Sequence, residues 1–386
     1  MASPRIPSFP SRLPRVGTTI FTVMSALASE WEAVNLGQGF PDFDCDPALL
    51  DHVNAAMREG HNQYPPMAGL PALREAVATK IESLYGRRYD PHSEITITAG
   101  ATQAILTAVL CCVSPGDEVI VLEPCYDSYA PNIELAGGTV VRVPLTPRSF
   151  RPDFQAIAAA LSSRTRAIIV NTPHNPTATV WTRAELQQLA ALLVGTSVLV
   201  ISDEVYEHMV YDGASHVSAS SLPELAARSF VISSFGKTFH VTGWKVGTVA
   251  APIPLTAEFR KVHQFNVFTV NTPMQHGLAR YLGEPGPYLG LPAFYQRKRD
   301  LFVQGLKSTR LKPLQSAGTY FQCVDYREAS DLKEAAFCEW LTREIGVAAI
   351  PLSAFYEDGF EQGIVRLCFA KKDDTLNRAL QRLSRL

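Results

Sequence analysis

Lys237 and Asp203 carry side chains that suit covalent and acid–base chemistry. Lys237 follows the apolar run 230–233 on a turn that contains Gly236, and a lysine amine can form an imine with a cofactor aldehyde. Asp203 follows the apolar run 198–202, and a carboxylate there could hold a pyridine nitrogen in its protonated form. Taken singly, Lys237 is better explained as a solvated or phosphate-binding lysine, and a helix N-cap is an equally ordinary interpretation of Asp203.

Tyr206 and Asn175 could hydrogen-bond a phenolate oxygen on the same ligand. Tyr206 comes three residues after Asp203, and Asn175 lies in an Asn-Pro turn. Such bonds stabilise an anionic oxygen. Each residue also has a purely structural interpretation, since buried tyrosines and turn asparagines are common.

A phosphate site is predicted where the run 95–98 ends and a helix begins. Gly100, Ala101 and Thr102 stand at this start, and unpaired N–H groups at a helix N-terminus attract phosphate. Ser234 and Lys245 could add a hydroxyl and a cation. The turn alone is weak support, because glycine mostly serves backbone conformation.

Seven short apolar runs between residues 95 and 250 must position these side chains. They are rich in β-branched residues and alternate with helix-like stretches, which predicts an α/β fold with a mostly parallel, seven-stranded sheet flanked by helices. Ligands bind beyond the carboxyl ends of such strands, where the candidate residues stand. The runs are residues 95–98, 119–122, 140–143, 167–170, 198–202, 230–233 and 246–250.

A second, smaller α+β domain is predicted from the change of pattern after about residue 290. A chain of 386 residues usually divides into two domains. We predict a large domain over 46–290 and a small domain built from 1–45, including an N-terminal arm, and 291–386. Its predicted elements are helices at 293–307 and 335–345 and strands at 318–324 and 364–369.

Composition argues against several classes of partner. The net charge of −2 gives no basic field for nucleic acid or anionic lipid, and no apolar run suits a transmembrane helix. The seven cysteines are scattered without a C-x-x-C pair, which favours buried thiols in a reducing compartment over disulfides or a metal site. Residues 1–17 lack the apolar core of a secretory signal, so we expect a cytoplasmic protein.

Taken together and in order, these motifs resemble the class I/II aminotransferases of pyridoxal-5'-phosphate (PLP) fold type I, and most closely the methionine and kynurenine aminotransferase branch. The resemblance runs from residues 35–42 to 365–369. It rests on Asn-Pro at 175–176, Asp-x-x-Tyr at 203–206, Ser-x-x-Lys at 234–237, Gly-Trp-Lys-x-Gly at 243–247 and the late Arg366. It implies a PLP-dependent transaminase that works as a homodimer.

The resemblance also implies a role for each candidate cofactor ligand. Lys237 would be the Schiff-base lysine and general base, Asp203 the partner of the pyridine nitrogen, and Tyr206 with Asn175 the ligands of the phenolate oxygen. Many relatives carry arginine where this chain has Lys245. Lysine offers a point charge in place of a bidentate contact with phosphate, so we expect weaker binding of the phosphate here. The remaining cofactor positions are the phosphate ligands Ala101, Thr102, Ser234 and Lys245, the ring-stacking Tyr126, and Tyr64, which would reach the partner subunit's phosphate.

Arg366 matches the arginine that binds the substrate carboxylate, assisted by the backbone of Gly39 and by Asn175. A guanidinium fork makes two parallel bonds to a carboxylate; without the resemblance, Arg366 is an interior-strand arginine of unknown partner. Phe21, Tyr126 and Phe268 would line an aromatic pocket, the last of them from the neighbouring subunit. The implied amino donors are methionine, phenylalanine, tyrosine, histidine, glutamine or kynurenine, with aspartate disfavoured.

Two other functions fit parts of the pattern. A β-lyase acting on cysteine S-conjugates or cystathionine would use the same imine, as its main or a side activity. A PLP-binding sensor without enzymatic activity is the non-catalytic alternative. The resemblance begins too early in the chain to leave room for the DNA-binding region that such sensors carry, and Lys237, Asp203 and Arg366 are all retained.

Overall fold

The computed structural model describes residues 10–386; residues 1–9 of the predicted N-terminal arm lie outside it. Strands alternate with helices through the middle of the chain, as the apolar runs predict. The strands are β1 Val34–Asn35, β2 Ile95–Thr98, β3 Glu118–Glu123, β4 Thr139–Pro144, β5 Thr165–Asn171, β6 Leu199–Asp203, β7 Ser229–Ser234, β8 Gly247–Ala250, β9 Lys312–Pro313, β10 Phe321–Asp325, β11 Val347–Ala348, β12 Ile350–Pro351 and β13 Ile364–Cys368.

Most helices begin where the sequence offers a side-chain cap or a proline. Thr182 and Glu185 form a reciprocal capping box at one of them. The helices are α1 Ile20–Glu30, α2 Pro47–Arg58, α3 Pro71–Tyr85, α4 Gly100–Cys112, α5 Tyr129–Leu135, α6 Phe154–Ala160, α7 Arg183–Leu192, α8 Pro223–Ala226, α9 Phe235–Thr238, α10 Ile253–Asn266, α11 Thr272–Leu282, α12 Gly286–Leu289, α13 Leu291–Leu306, α14 Glu334–Trp340 and α15 Asp373–Leu383.

The seven strands β2 to β8 form one sheet in the order β2-β8-β7-β6-β5-β3-β4. Strand β8 runs antiparallel to β2 and β7, and the other pairs are parallel. The predicted mostly parallel, seven-stranded sheet is therefore confirmed. Because β5, β6 and β7 are parallel neighbours, their carboxyl ends meet at one edge.

Both faces of this sheet are covered. Along β3, Val119 and Val121 belong to one buried apolar cluster, whereas Ile120 and Leu122 belong to the other. Side chains alternate between the faces of a strand, so a strand buried on both sides reads as a continuous apolar run. That is why the sequence pattern predicts these strands well.

A smaller α+β unit combines segments from both ends of the chain. Its four-stranded sheet has the antiparallel order β12-β13-β10-β9, while β1 pairs in parallel with β11. The predicted strand start at 318 is wrong, since Thr319 has a φ of +64° and interrupts an extended strand before Phe321. The last predicted turns of the helix at 335–345 form a π-helix, Leu341–Ile345. The domain limits at 45/46 and 290/291 stay predictions.

The cysteine thiols are all unpaired. Four are buried, but Cys45, Cys111 and Cys112 are only partly buried, which corrects the expectation that all seven lie in the core. Within residues 10–386, no helix combines the length and the apolar character needed to cross a bilayer.

Candidate active site

A cavity of about 170 Å³ lies at the carboxyl ends of β5, β6 and β7. The beginnings of α4 and α9 form two of its walls. Open α/β sheets hold their ligands at this position. Nine of the predicted site residues line the cavity: Ala101, Thr102, Tyr126, Asn175, Asp203, Tyr206, Ser234, Lys237 and Lys245.

Asp203 is the last residue of β6, and its carboxylate is buried. The Tyr129 hydroxyl donates to Oδ2 at 2.6 Å, and the backbone N–H of Val205 donates to Oδ1 at 3.3 Å. Burial raises the pKa of Asp203 to about 6, although these bonds and the charge of Lys237 act in the opposite direction. The negative charge of Asp203 is therefore not fully stabilised by the protein alone. A positively charged ligand group beside it would stabilise this charge.

Lys237 lies in the first turn after β7, with its amine inside the cavity. Nζ donates to the Tyr320 hydroxyl at 2.9 Å and lies 3.4 Å from the carbonyl oxygen of Gly39. The same amine stands 5.6 Å from the ring centres of Tyr206 and Tyr320. Burial lowers the pKa of Lys237 to about 8. A neutral, nucleophilic amine is therefore accessible near physiological pH.

The opposite end of the cavity is formed by the N-terminus of α4. Gly100 has a φ of +80°, which favours glycine. The N–H groups of Ala101 and Thr102 belong to the first turn, which has no intrahelical acceptors. A Cβ on Gly247 would lie 2.9 Å from the Ser233 carbonyl and 3.1 Å from the Ala101 nitrogen. Because Gly247 has no side chain, β8 can lie this close to β7 and to the start of α4.

Lys245 supplies a cation beside this helix start. It has a φ of +54°, and Nζ lies 3.6 Å from the position that a Cβ of Gly100 would occupy. Ser234 ends β7 on the neighbouring wall. Backbone N–H groups, a hydroxyl and an ammonium group therefore converge in the way that a phosphate requires.

Arg366 lies on β13 and is almost completely buried, at 1% exposure. Nη1 donates to Asn175 Oδ1 at 2.6 Å, and Nη2 donates to the Gly37 carbonyl at 3.1 Å. Its Nε has no hydrogen-bond partner within residues 10–386. The guanidinium centre also stands 3.9 Å from the Phe321 ring centre. A buried guanidinium with an unused donor fits an anionic ligand that approaches from the cavity.

Asn175 connects Arg366 to the cavity that holds Asp203. The Asn175 N–H donates to Asn171 Oδ1 at 2.8 Å, and Asn171 Nδ2 donates to the Asp203 carbonyl at 2.8 Å. These bonds tie the ends of β5 and β6 together. Arg366 does not line the cavity itself and reaches it through Asn175.

Phe21 and Gly39 adjoin Arg366 outside the cavity. The Phe21 ring centre is 5.3 Å from the guanidinium and packs edge-on against Phe355 at 5.9 Å. A Cβ on Gly39 would approach Phe321 Cζ to 2.7 Å, so this close passage of the backbone requires glycine. Phe21 thus lies beside Arg366, and Gly39 passes next to the Phe321 ring that the guanidinium contacts.

Tyr64 and Phe268 do not join the site of their own chain. They contact each other edge-on with ring centres 5.3 Å apart. Tyr64 is 79% exposed and Phe268 is 47% exposed. One chain therefore leaves both predicted positions on its surface.

Sequence reasoning missed Tyr129, Tyr320 and Asn171. Tyr320 stands inside the predicted strand 318–324, yet nothing in a linear pattern shows that its hydroxyl meets Lys237. Asn171 directly follows the predicted run 167–170. Its position four residues before Asn175, at the end of the same run, is the one signal that could have indicated a supporting role.

With this geometry established, similarity to known proteins decides the family. Residues 32–383 match the family described as Aminotransferase class I and II. The chain belongs to this family. The predicted resemblance is thus confirmed, and the protein is an amino acid aminotransferase.

Similar proteins carry several substrate names. An Escherichia coli methionine aminotransferase is 53% identical over 100% of this chain and 99% of its own length, and a solved structure of methionine aminotransferase from that organism superposes with a TM-score of 0.97 over 99% and 100% of the chains. A probable N-succinyldiaminopimelate aminotransferase of Mycobacterium tuberculosis is 42% identical over 97% of both. Rat kynurenine–oxoglutarate transaminase 3 is 37% identical over 95% of this chain and 88% of its own. None of these three relatives is named as a lyase.

Proposed function

We propose that this aminotransferase uses PLP to move the amino group of a large neutral or aromatic amino acid to a 2-oxo acid. One observation carries the proposal: the Lys237 amine, with its pKa lowered to about 8, shares a cavity with the Asp203 carboxylate and the N-terminus of α4. PLP needs three contacts that this cavity offers. They are an amine for its aldehyde, a carboxylate for its ring nitrogen and N–H groups for its phosphate.

The remaining cavity residues fit the same cofactor. Ala101, Thr102, Ser234 and Lys245 would hold the phosphate, while Tyr206 and Asn175 would donate to the phenolate oxygen and Tyr126 would cover the ring. When bound, PLP supplies an electron-withdrawing ring that stabilises negative charge on the substrate α-carbon. Asp203 would strengthen this effect by keeping the ring nitrogen protonated.

Lys237 is the residue we assign to proton movement at the substrate. Its amine would take the proton from the substrate α-carbon and release it again as the amino group is transferred. The contacts with Tyr320 and Gly39 support this assignment, because they hold the amine in place inside the cavity. A pKa near 8 suits a base that works close to neutral pH.

Arg366 would orient the substrate by its carboxylate, with Asn175 and the Gly39 N–H as further donors. The buried Nε of Arg366, which has no hydrogen-bond partner in the described part of the chain, supports this role. The substrate side chain would then extend past Phe21 and Tyr126. Apolar aromatic walls favour methionine, phenylalanine, tyrosine, histidine, glutamine or kynurenine over aspartate. The names of the methionine and kynurenine relatives point the same way.

We also propose a cytoplasmic homodimer. Tyr64 and Phe268 form an exposed aromatic pair, and Phe265 nearby in the chain is 88% exposed. Large exposed apolar side chains of this kind mark interaction surfaces. Across the dimer, Tyr64 would reach the partner subunit's phosphate and Phe268 its substrate pocket. The unpaired thiols support a reducing compartment.

The covalent attachment of PLP tests the cofactor assignment. After borohydride reduction of the PLP-loaded protein, mass spectrometry should find the pyridoxyl label on Lys237, and Lys237→Ala should lose both the label and the visible absorbance of the lysine-linked cofactor. Lys261→Ala is the control, since this lysine is exposed and, among residues 10–386, pairs with Glu258 alone, on the same helix. A label on Lys245 in the wild-type protein would refute the assignment.

Steady-state rates test the donor class. With 2-oxo acid acceptor in excess, kcat/KM for methionine and phenylalanine should exceed that for aspartate. One methylene changes binding by only about 1–3 kcal/mol, so several of the neutral donors should react. An enzyme that prefers aspartate would contradict the proposed pocket.

A further inference from the structure

A second cavity, of about 160 Å³, lies beside the proposed active site. Tyr126 lines both cavities, and the second one continues between α5, β4 and residues 354–357. Its walls carry four carboxylates and two guanidinium groups. The set comprises Arg15, Glu123, Asp127, Glu134, Arg142 and Glu357.

The arginines of this cavity neutralise three of the four carboxylates. Arg15 pairs with Glu134 and Glu357, and Arg142 pairs with Glu123 at 3.1 Å and with Glu357 at 2.8 Å. Asp127 is the fourth carboxylate. Within residues 10–386 it forms no ion pair and accepts no side-chain hydrogen bond. Its negative charge therefore acts on whatever enters this side of the cleft.

Asp127 faces the same region as the proposed substrate carboxylate site. It directly follows Tyr126 and lines the second cavity together with Phe355. The Phe355 ring centre is 5.0 Å from the guanidinium of Arg366 and packs against Phe21. Although Asp127 is exposed on the surface of this chain, desolvation by neighbouring groups raises its pKa, and the charge of Arg366 opposes this rise. Asp127 thus stands within electrostatic range of Arg366, on the aromatic side of the pocket.

We propose that Asp127 is a specificity-determining residue that excludes substrates with a second carboxylate. This inference rests on the proposed binding of the substrate α-carboxylate by Arg366. Once Arg366 holds that carboxylate, a second one on the side chain would extend toward Asp127 and be repelled. A neutral side chain meets no such repulsion. The selection for neutral donors thus comes from an uncompensated negative charge as well as from apolar walls.

Binding of unreactive carboxylates separates this charge effect from catalysis. Titration calorimetry on the PLP-loaded protein would compare succinate and glutarate with 3-phenylpropionate, for the wild type and for Asp127→Asn. Asp127 is exposed to solvent, and in surroundings with a dielectric constant close to that of water, like charges about 4 Å apart change affinity by roughly three- to tenfold. We expect Asp127→Asn to bind both dicarboxylates tighter by that factor, with 3-phenylpropionate changed less than about twofold. Asp127→Ser should act alike.

Asp51→Asn is the matched control, because Asp51 is exposed on α2 and lines neither cavity. It changes the net charge equally and should leave all three affinities unaltered. An unchanged ratio of dicarboxylate to monocarboxylate affinity in both Asp127 variants would overturn the inference. Loss of binding of all three carboxylates would also overturn it. Asp127 would then maintain the structure of the pocket without discriminating between dicarboxylates and monocarboxylates.

Failure of the proposed function has a different signature. If Arg366 binds the carboxylate, Arg366→Lys should weaken succinate and 3-phenylpropionate together, and Asp127→Asn should not. If Arg366→Lys leaves both ligands unaffected, the carboxylate site itself is misassigned, whatever Asp127 does. The kcat/KM ratio for glutamate over phenylalanine should rise in Asp127→Asn by the same factor as the binding ratio.

Discussion

Asp203 illustrates how a single buried carboxylate can cost stability in the cofactor-free protein. Its pKa rises from 3.8 to about 6 because the carboxylate is buried. Between these values the folded protein holds a proton that the unfolded chain has released, so stability falls as the pH rises through this window. The difference corresponds to about 3 kcal/mol at pH 8.

Cofactor-free Asp203→Asn should therefore be more stable than the cofactor-free wild type at pH 8. The neutral amide can still accept from the Val205 N–H, and the Tyr129 hydroxyl can accept from the amide. Urea unfolding at several pH values should show a gap of about 3 kcal/mol at pH 8 that narrows as the pH falls below 6. A gap that widens toward acid pH would show that burial is not the cause.

At the scale of residues, sequence reasoning found the groups that belong to ordered motifs. Lys237, Asp203 and Arg366 are recognisable by type, order and position after apolar runs. Tyr129 and Tyr320 are not, because each acts through a hydroxyl that reaches the site only after distant elements pack together. An isolated tyrosine is an ordinary core residue in any sequence pattern.

At the scale of elements, a buried ion pair connects α3 to the loop after β6. Lys80 Nζ lies 2.5 Å from Glu207 Oε1, and the Tyr85 hydroxyl donates to Glu207 Oε2 at 2.5 Å. Ser233 on β7 also donates to this carboxylate. Burial raises the pKa of Glu207, but Lys80 and the other partners lower it below its ordinary value. Glu207 directly follows Tyr206, so this network helps to hold the strand ends that form the cavity.

Removing the cation of this pair should destabilise the fold strongly. Lys80→Met leaves a buried carboxylate without its counter-charge, which typically costs about 3–5 kcal/mol. Lys312→Met is the matched control, because Lys312 pairs with Glu328 at 3.1 Å on the exposed surface, where a pair contributes about 0–1 kcal/mol. Equal losses of unfolding free energy for the two variants would argue against a structural role for the buried pair.

The elements themselves were largely predictable where burial is uniform. All seven strands of the large sheet follow from apolar runs, and all but the edge strand β4, which is only partly buried, are covered on both faces. The prediction was wrong at 318–320, where the left-handed backbone of Thr319 delays β10. The neighbouring Gly318 is closely packed, since a Cβ there would lie 2.8 Å from the Met209 carbonyl, and such tertiary contacts have no signature in a periodic pattern. The π-helix Leu341–Ile345, which follows α14, likewise has no signature in the sequence pattern.

At the scale of the whole molecule, the proposed dimer shares its active sites between subunits. A mixture of Lys237→Ala and Tyr64→Ala proteins tests this directly. After subunit exchange, each mixed dimer should contain one site with an intact Lys237 and an intact Tyr64 from the other subunit. Transaminase activity should rise well above that of either variant alone.

The control is the same mixture before subunit exchange, which should show only the sum of the separate activities. Unmixed Tyr64→Ala protein should also bind PLP more weakly, because one phosphate ligand is lost. If Tyr64 acts within its own chain, no mixed dimer gains a complete site, and the activity stays at the sum however long exchange continues.

The bond from Arg366 to the Gly37 carbonyl has a consequence for how this protein comes into being. It joins residues 329 positions apart. Strand β1 likewise pairs with β11, which is synthesised much later. During synthesis on the ribosome, the seven-stranded sheet can form while the N-terminal segment still lacks its partners. The nascent chain should thus gain a cofactor pocket before it can recognise an amino acid.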